Sequence, residues 1–363
     1  MMSLSRGLGR QPQEKERCFM IKVGLIGCGK IGQVRHLPEY AANPDCRITA
    51  LYDINLERAR ELAVKYGATA YESVEALLAS DVEAVSVCSS NTSHAEITIA
   101  ALKAGKHVLC EKPMATTLAD SEAMVAAAKA AGKRLMIGQN QRLAGAHQKA
   151  KELIDAGKIG KVLTFKTAFC HGGPETWSVD PGLNTWFFDK KRAAMGAMAD
   201  LGVHKTDLLQ YLTGQTITEV SAMLSVLDKK FADGSPITVD DNAFAIYKMD
   251  GGAMGTMTVS WTNYGAEDNS TVLWGTEGVL RIYDHPDHTL VLVRKSGEVE
   301  YYDVDQIQTN DNQTASGVID MFVNCIKDEN APYITGESAL TAMRAVFGAI
   351  ESSEKGCVVK VNG

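Results

Sequence analysis

The strongest constraint on the fold is a regular alternation of short apolar runs and helical stretches over residues 21–138. The apolar runs are rich in β-branched or aliphatic residues and read IKVGLIG, RITALYD, AVSVCS, HVLCEK and RLMIGQ. Several of the helical stretches between them end on glycine, as helices often do. Strand–helix–strand repetition predicts a parallel sheet with right-handed crossovers, and continuous apolar runs indicate strands buried on both faces. We therefore expect residues 20–140 to form an α/β domain with a doubly wound parallel sheet.

The pattern changes in the second part of the chain, residues 141–363. One helical segment leads into longer strands joined by hairpin turns, as in NAFAIYKMDGGAMGTMTVSWT. In TMTVSWT every second residue is large and apolar, which predicts one face in the core and one toward solvent or a partner subunit. We expect a second, α+β domain with an antiparallel sheet. Residues 1–19 are polar and predict a disordered extension.

A glycine motif opens the first helix directly after the first strand. VGLIGCGKIGQVRH contains Gly27, Gly29 and Gly32 in the spacing G-x-G-x-x-G, which suits a tight turn, a pyrophosphate and close helix packing. The second strand ends at Asp53, where a carboxylate can bind the ribose hydroxyls of NAD. The spacing predicts a dinucleotide site that prefers NAD, and Arg58 nearby keeps NADP possible. The alternative is a plain α/β turn in which Asp53 caps the next helix.

A lysine stands at the carboxyl end of the predicted strand HVLCEK, in VLCEKPMATT. This edge is where the ligands of open parallel sheets bind. Pro113 restricts Lys112 to extended backbone conformations, so we expect the ammonium group to be aimed at the nicotinamide. The alternative is a surface lysine at the junction between a strand and a loop.

The stretch GAMADLGVHKTDLLQYLTG has a helical pattern with one polar face. At helical spacing Asp200, His204, Asp207 and Tyr211 share this face. A histidine with a pKa near 6.5 can accept a hydroxyl proton, and a carboxylate can orient it. The alternative is a solvated polar face. Gly202 interrupts the helix, and we expect its missing side chain to let another backbone or a ligand come close.

These stretches together resemble the Gfo/Idh/MocA family of sugar and cyclitol dehydrogenases. The resemblance extends from Met20 to the end of the chain and rests on the glycine loop, AGKHVLCEKP, GQNQR and DLGVHKTD. It implies a Rossmann domain with a bound nicotinamide nucleotide. It also implies a C-terminal domain with an open, mostly antiparallel sheet that binds substrate and forms homodimers or homotetramers through its outer face.

The resemblance assigns roles to individual residues. Lys112 corresponds to the family's active-site lysine, Asp200 and His204 to its acid and base, and Asp207 to a carboxylate that orients the helix. The expected cofactor-binding residues are Gly27, Gly29, Lys30, Ile31, Gly32, Asp53, Arg58, Ser89, Asn91, His94, Glu111, Lys112 and Gln139. The expected substrate-binding residues are Lys112, Asn140, Arg142, Trp177, Trp186, Asp200 and His204.

The chain departs from the family pattern beside the expected site. Ser90 replaces a common proline, and Ala194 and Met195 replace two of three common glycines, so we expect an unusual loop there. Trp177 and Trp186 lie in CHGGPETWSVDPGLNTWFFDKK. Their aromatic faces suit the C–H face of a sugar ring, although WFF could equally belong to the core.

Composition excludes several other classes of protein. The formal net charge is −7 with both signs mixed along the chain, which argues against a nucleic-acid partner. No apolar run reaches the roughly 18 residues of a membrane span, and the N-terminus lacks the apolar core of a signal peptide. The eight cysteines are never spaced C-x-x-C, which predicts reduced thiols in a cytoplasm. His285 and His288 have no third ligand nearby in the sequence, so we expect no metal.

The expected activity is hydride transfer between a secondary alcohol of a sugar or cyclitol and NAD or NADP. Two other functions use the same fold: an NAD-dependent glycoside hydrolase that retains its cofactor, and a non-enzymatic sugar- or NAD-sensing regulator. The joint presence of Lys112, Asp200 and His204 argues against a pure binding protein, because binding alone needs no proton chemistry.

Overall fold

A six-stranded parallel sheet forms the N-terminal part of the chain. The computed structural model describes residues 20–304 and 315–361, so the expected extension at 1–19 lies outside the described residues. The strands are β1 (Ile21–Ile26), β2 (Cys46–Tyr52), β3 (Thr69–Ala70), β4 (Ala84–Val87), β5 (His107–Cys110) and β6 (Leu135–Ile137). They lie in the order β3-β2-β1-β4-β5-β6, the order of a doubly wound dinucleotide-binding sheet. The predicted fold class is confirmed.

Five helices connect these strands, and local sequence fixes several of their ends. They are α1 (Leu37–Ala42), α2 (Leu56–Tyr66), α3 (Val74–Leu78), α4 (His94–Lys103) and α5 (Leu118–Ala131). Asn55, Ser73 and Thr117 accept a backbone N–H at the starts of α2, α3 and α5. Gly67 and Gly132 end α2 and α5 in the left-handed conformation, as their spacing predicts.

A nine-stranded mixed sheet dominates the second domain. Its strands are β7 (Val162–Cys170), β8 (Ile217–Ser225), β9 (Asn242–Met249), β10 (Met254–Ser260), β11 (Thr271–Gly275), β12 (Gly278–Ile282), β13 (Leu290–Arg294), β14 (Val299–Tyr302) and β15 (Val359–Lys360). Their order is β14-β13-β12-β11-β7-β10-β9-β8-β15, and only the β7–β10 pair is parallel. The expectation of a mostly antiparallel sheet is confirmed.

Helices cover one face of this sheet. They are α6 (Gly145–Asp155), α8 (Val203–Thr213) and α10 (Gly336–Lys355), while α7 (Lys190–Ala193) lies in the long connection after β7. Met257, Val259 and Trp261 are fully buried beneath the helices, as the alternation in TMTVSWT predicts. On the opposite face, Phe244 and Ile246 of β9 are exposed.

The last helix before α10 returns to the first domain. Val318, Ile319 and Phe322 of α9 (Val318–Lys327) are buried in the same cluster as Ile21 and Ile48. The predicted boundary at residue 140 assigns α9 to the second domain, but the apolar face of this helix packs on the Rossmann sheet.

The described residues also show the state of the cysteines and the apolar character of the helices. Seven of the cysteines lie in the described part of the chain, all seven are free thiols, and six are buried. No helix in the described ranges is long and apolar enough to cross a membrane.

Candidate active site

A cavity of about 690 Å³ runs along the carboxyl edge of the parallel sheet and reaches into the second domain. Its volume lies within the range of about 300–1,000 Å³ that small-molecule sites occupy. Both domains line it, together with the segment of residues 171–193 that crosses between them. A ligand that filled this cavity would lie between the two domains.

The glycine motif forms a cradle at one part of the cavity. Gly27 has a φ of +97°, and a Cβ there would lie 2.5 Å from the backbone of Cys88. A Cβ on Gly32 would lie 2.9 Å from the carbonyl oxygen of Gly27. A Cβ on Gly29 would meet only the Cys88 carbonyl at 4.0 Å, so Gly29 faces open space. This arrangement fits a pyrophosphate approaching the backbone at a helix start.

Asp53 lies at the end of β2 and lines the same cavity. Its Oδ2 accepts a hydrogen bond from the Cys28 N–H at 2.6 Å, and its Oδ1 accepts one from the Asn55 N–H at 2.7 Å. Asn55, rather than Asp53, caps α2. The carboxylate is therefore fixed at the position where NAD-binding sheets bind ribose hydroxyls. Arg58 approaches it, with 4.0 Å between Nη1 and Oδ1.

Most of the other predicted cofactor residues reach the cavity wall. Six of them line the cavity: Lys30, Ile31, Ser89, Asn91, His94 and Glu111. Gln139 and Gly32 do not line it. Asn91 Nδ2 donates to the Ala193 carbonyl oxygen at 3.0 Å. His94 Nδ1 donates to the Pro113 carbonyl oxygen at 2.8 Å, which fixes the backbone beside Lys112.

Glu111 anchors the strand end behind Lys112. It is buried and accepts hydrogen bonds from Arg35 at 3.0 Å and from His36 at 2.9 Å. Burial alone would raise its pKa, but Arg35 and His36 more than offset this and hold the pKa well below its usual value. A Cβ on Gly138 would lie 2.8 Å from Glu111 Oε1, so this glycine makes room for the carboxylate.

Lys112, Asp200 and His204 meet where the two domains join. Lys112 Nζ donates to Asp200 Oδ1 at 2.8 Å and to the Asp200 carbonyl oxygen at 3.0 Å. An ammonium group has three donors, so one remains for a ligand in the cavity. Trp261 Nε1 donates to Asp200 Oδ2 at 3.1 Å. Asp200 therefore orients Lys112. The carboxylate was expected to orient the imidazole of His204, but it pairs with Lys112 instead.

The electrostatics of these groups suit proton transfer. Burial would raise the pKa of Asp200, but Lys112, His171 and the hydrogen bonds from Lys112 and Trp261 hold it below its usual value. Burial and the nearby Lys112 charge hold the pKa of His204 well below its usual value, so its imidazole is neutral. Nδ1 of His204 is buried without a hydrogen-bond partner among the described residues.

A wide helical turn presents Asp200. Met198–Gly202 forms a π-helical turn before α8, a feature often found at functional sites. A Cβ on Gly202 would lie 2.6 Å from Met198 Sδ. Its missing side chain therefore accommodates a residue of the preceding turn, and the expectation that it admits a ligand or another backbone is wrong.

Arg142 and Asp207 form a buried ion pair away from the cavity. Arg142 Nε donates to Asp207 Oδ2 at 2.7 Å, and the guanidinium lies 5.5 Å from the ring of Tyr211. Burial raises the pKa of Asp207 even beside Arg142. Arg142 was expected to bind substrate, but Asp207 occupies its guanidinium. Asn140, which was also expected to bind substrate, lines the cavity.

Both expected tryptophans line the cavity. Trp186 stacks on Phe187 with ring centroids 4.0 Å apart, and Trp177 meets Phe187 edge-on at 5.2 Å. Phe188 instead belongs to the core, where it is fully buried beside Trp261. The WFF sequence is therefore split between cavity and core. The replacement residue Ala194 has a φ of +63°, a conformation that favours glycine.

Sequence reasoning missed a row of polar side chains in the cavity wall. Gln141 Nε2 donates to Asn269 Oδ1 at 3.3 Å, and Asn269 Nδ2 donates to Glu267 Oε1 at 3.4 Å. All three line the cavity, as does His171. Buried Lys205, whose pKa burial lowers to about 7, donates to the Asn269 carbonyl at 2.8 Å. Gln141 lies within the GQNQR motif, but no local sequence pattern predicted that the loop after β10 would reach the cavity.

Comparison with known proteins agrees with this geometry. A family model described as the oxidoreductase family with an NAD-binding Rossmann fold matches residues 21–139. The model of the GFO/IDH/MocA C-terminal domain matches residues 147–281. Myo-inositol 2-dehydrogenase of Thermotoga maritima is 28% identical over 94% of this chain and 98% of its own. Levoglucosan dehydrogenase of Pseudarthrobacter phenanthrenivorans is 32% identical over 72% of this chain and 73% of its own.

Solved structures show the same architecture. Levoglucosan dehydrogenase in complex with NADH and levoglucosan superposes with a TM-score of 0.83 at 26% identity, covering 94% of this chain and 99% of that one. An oxidoreductase domain protein from Kribbella flavida reaches 0.84 at 27% identity, covering 95% of this chain and 100% of that one. The glycine cradle, the two sheets and the matches over both domains lead to one conclusion: the chain belongs to the GFO/IDH/MocA family of NAD-binding oxidoreductases.

Proposed function

We propose that this protein transfers a hydride between a secondary alcohol of a sugar or cyclitol and NAD. One observation carries the proposal: Lys112, Asp200 and His204 line the same cavity as the glycine cradle and Asp53. A nucleotide bound in the cradle and a polyol near Lys112 would therefore share one cavity. The names of the inositol and levoglucosan dehydrogenases among the relatives support this substrate class.

The residues of the site divide the chemistry between them. When bound, NAD supplies a nicotinamide ring that accepts or returns a hydride. His204 is neutral, lines the cavity and accepts the proton of the substrate hydroxyl on its imidazole ring. Lys112 donates its remaining hydrogen to the same oxygen and stabilises the negative charge that develops there. In the reverse direction the same groups return the proton to a carbonyl oxygen.

Asp200 acts through Lys112. Two of the three ammonium hydrogens of Lys112 are bound by Asp200, which aims the third. Trp261 holds the second carboxylate oxygen and prevents it from turning away. The carboxylate thus fixes the position of the positive charge before substrate arrives, which is the arrangement that makes electrostatic stabilisation effective.

The remaining wall suits a ring that carries several hydroxyl groups. The row of Gln141, Asn269 and Glu267 offers donors and acceptors, and Gln141 Oε1 is buried without a partner among the described residues. Trp177 and Trp186 add apolar aromatic surface to the cavity wall. Such a wall favours an uncharged polyol over a flat or wholly apolar ligand.

We also propose a cytoplasmic homo-oligomer, a dimer or tetramer. The outer face of the mixed sheet exposes Leu163, Met223, Phe244, Ile246 and Met254, all on strands β7 to β10. A row of exposed apolar side chains on a sheet face is typical of a subunit interface. The free thiols support a reducing compartment. Sedimentation of the purified protein tests the oligomer, and a monomer across the micromolar range would contradict it.

The function is tested by mixing the purified protein with NAD or NADP and a panel of inositols, hexoses, anhydrosugars and glycosides. We expect the NADH absorbance band to grow with one class of polyol. Hydrolysis of a glycoside without net NADH would identify the protein as a hydrolase that retains its cofactor. Nucleotide binding with no turnover of any polyol or glycoside would identify a regulator.

A further inference from the structure

The segment after β7 reaches from the second domain across the nucleotide cavity. It contacts the Rossmann domain at two places. Near the expected nicotinamide, Asn91 Nδ2 and Thr92 Oγ1 donate to the carbonyl oxygens of Ala193 and Arg192, at 3.0 and 3.1 Å. At the other place an aspartate of this segment, Asp180, lines the cavity beside Asp53 and Arg58.

Arg58 lies between two carboxylates. Its Nη2 donates to Asp180 Oδ1 at 2.7 Å, and its Nη1 lies 4.0 Å from Asp53 Oδ1. The arginine side chain is 19% exposed and that of Asp53 8%, whereas that of Asp180 is 73% exposed. The arginine is therefore held at the cavity wall, and its shorter ionic contact is with the other domain.

We propose that Asp180 determines cofactor specificity by keeping Arg58 from receiving the 2′-phosphate of NADP. This inference rests on the proposed function, because it assumes that the cavity binds a nicotinamide nucleotide. An arginine near the end of β2 is the residue that usually accommodates this phosphate. Here the arginine that the motif provides is engaged by an acid from outside the Rossmann domain.

The charges explain the expected selectivity. Asp53, Arg58 and Asp180 together carry a net charge of −1, which opposes a phosphate monoester of about −2. Asp53 is fixed by two backbone N–H groups, so it cannot easily turn away. Replacing Asp180 by asparagine brings the sum to zero and frees the guanidinium for the bidentate contact that arginine makes with phosphate.

The specificity of the nucleotide site is thus shared between domains. Asp53 suffices to bind ribose hydroxyls, but the exclusion of NADP also depends on the position of residues 171–193. A homologous Rossmann domain with the same Asp53 and Arg58, but without an acid at the position of Asp180, would accept NADP more readily.

The test measures the binding of NADH and of NADPH through the change in their fluorescence, in the absence of any polyol. Asp180→Asn is compared with the unchanged protein and with Glu57→Gln as a matched control. Glu57 lies on α2 next to Arg58, contacts Arg60 and does not line the cavity, so its replacement also removes one negative charge close to Arg58 in sequence, but away from the nucleotide cavity. We expect Asp180→Asn to lower the ratio of the NADPH Kd to the NADH Kd about tenfold. Glu57→Gln should leave that ratio unchanged.

A second substitution identifies the group that receives the phosphate. In Asp180→Asn with Arg58→Gln, the gain in NADPH binding should disappear. An unchanged ratio in Asp180→Asn, or an equal loss of affinity for both nucleotides, would overturn the inference and leave Asp180 as a contact that only holds the segment. If the unchanged protein binds neither nucleotide, the proposed function fails together with the inference.

Discussion

Replacing Lys112 by methionine is the sharpest perturbation of the candidate site. Methionine keeps much of the side-chain volume and removes the charge and all three donors. The structure predicts two separate consequences. The reaction loses the donor that stabilises charge on the substrate oxygen, and Asp200 loses the partner that lies 2.8 Å from its Oδ1.

Each consequence has an expected size. Loss of one preorganised donor to a developing oxyanion typically lowers kcat by about 10²–10³. Asp200 is buried, and Trp261 is its remaining side-chain donor, so the unpaired carboxylate should destabilise the fold by about 3 kcal/mol. A double variant, Lys112→Met with Asp200→Asn, removes the buried charge as well. We expect it to recover stability but not activity, which separates the two effects.

The assay is steady-state oxidation of the best polyol of the panel, with thermal unfolding of the same preparations. Lys103→Met is the matched control, because Lys103 is an exposed lysine of the same domain that does not line the cavity. It should retain full activity. A loss of activity below about threefold in Lys112→Met, with the fold intact, would refute the catalytic assignment of this lysine.

Three further predictions follow from burial and charge. His204→Asn should lower kcat about 100-fold and remove the fall in rate at acid pH, because protonated His204 cannot accept a proton; an unchanged pH profile would contradict its role as base. Arg142→Met should destabilise the fold by about 3–5 kcal/mol, because it leaves Asp207 buried without its partner, while KM for the polyol changes little; a large rise in KM with normal stability would instead place Arg142 at the substrate. Burial lowers the pKa of His147 to about 3 in the folded protein, against about 6.5 unfolded. The unfolded state therefore binds a proton below pH 6.5 that the folded state does not, so stability is lost as the pH falls, by about 2 kcal/mol for this residue at pH 5. His147→Gln should flatten the decline in unfolding free energy between pH 7 and 5, and an equal slope in both proteins would refute this.

The features that sequence predicted well are those set by local patterns. Continuous apolar runs are typical of strands buried between two layers of helices, so the parallel sheet followed from the first 140 residues. The glycine spacing placed the cradle, because a tight turn and a close approach of backbone atoms leave no space for a Cβ at Gly27. The alternation in TMTVSWT correctly assigned the buried face of β10.

The features that sequence reasoning missed depend on contacts between distant residues. Lys112 and Asp200 are 88 positions apart, and nothing in either motif predicted that the carboxylate would bind the lysine rather than His204. The helical spacing of Asp200 and His204 assumed a regular α-helix, whereas a π-helical turn precedes α8. The pairing of Arg142 with Asp207 likewise requires α8 to pack beside the turn after β6.

The long connection after β7 was the hardest segment to interpret. Its composition suggested either a sugar-binding surface or core, and the structure places Trp186 at the cavity and Phe188 in the core. Its contact with Arg58 joins residues 122 positions apart. Such a crossing has no local pattern, because its residues are held by partners that the fold brings to them.

The central claim is tested most directly by following a deuterium atom. The best polyol of the panel is deuterated at its carbinol carbons and oxidised by the purified protein with NAD, and the NADH is analysed by mass spectrometry. The account predicts NADH that carries one deuterium at the nicotinamide ring, formed at a reduced rate in Lys112→Met. NADH without deuterium, or deuterium lost to solvent while no NADH accumulates, would contradict direct hydride transfer from the polyol to NAD.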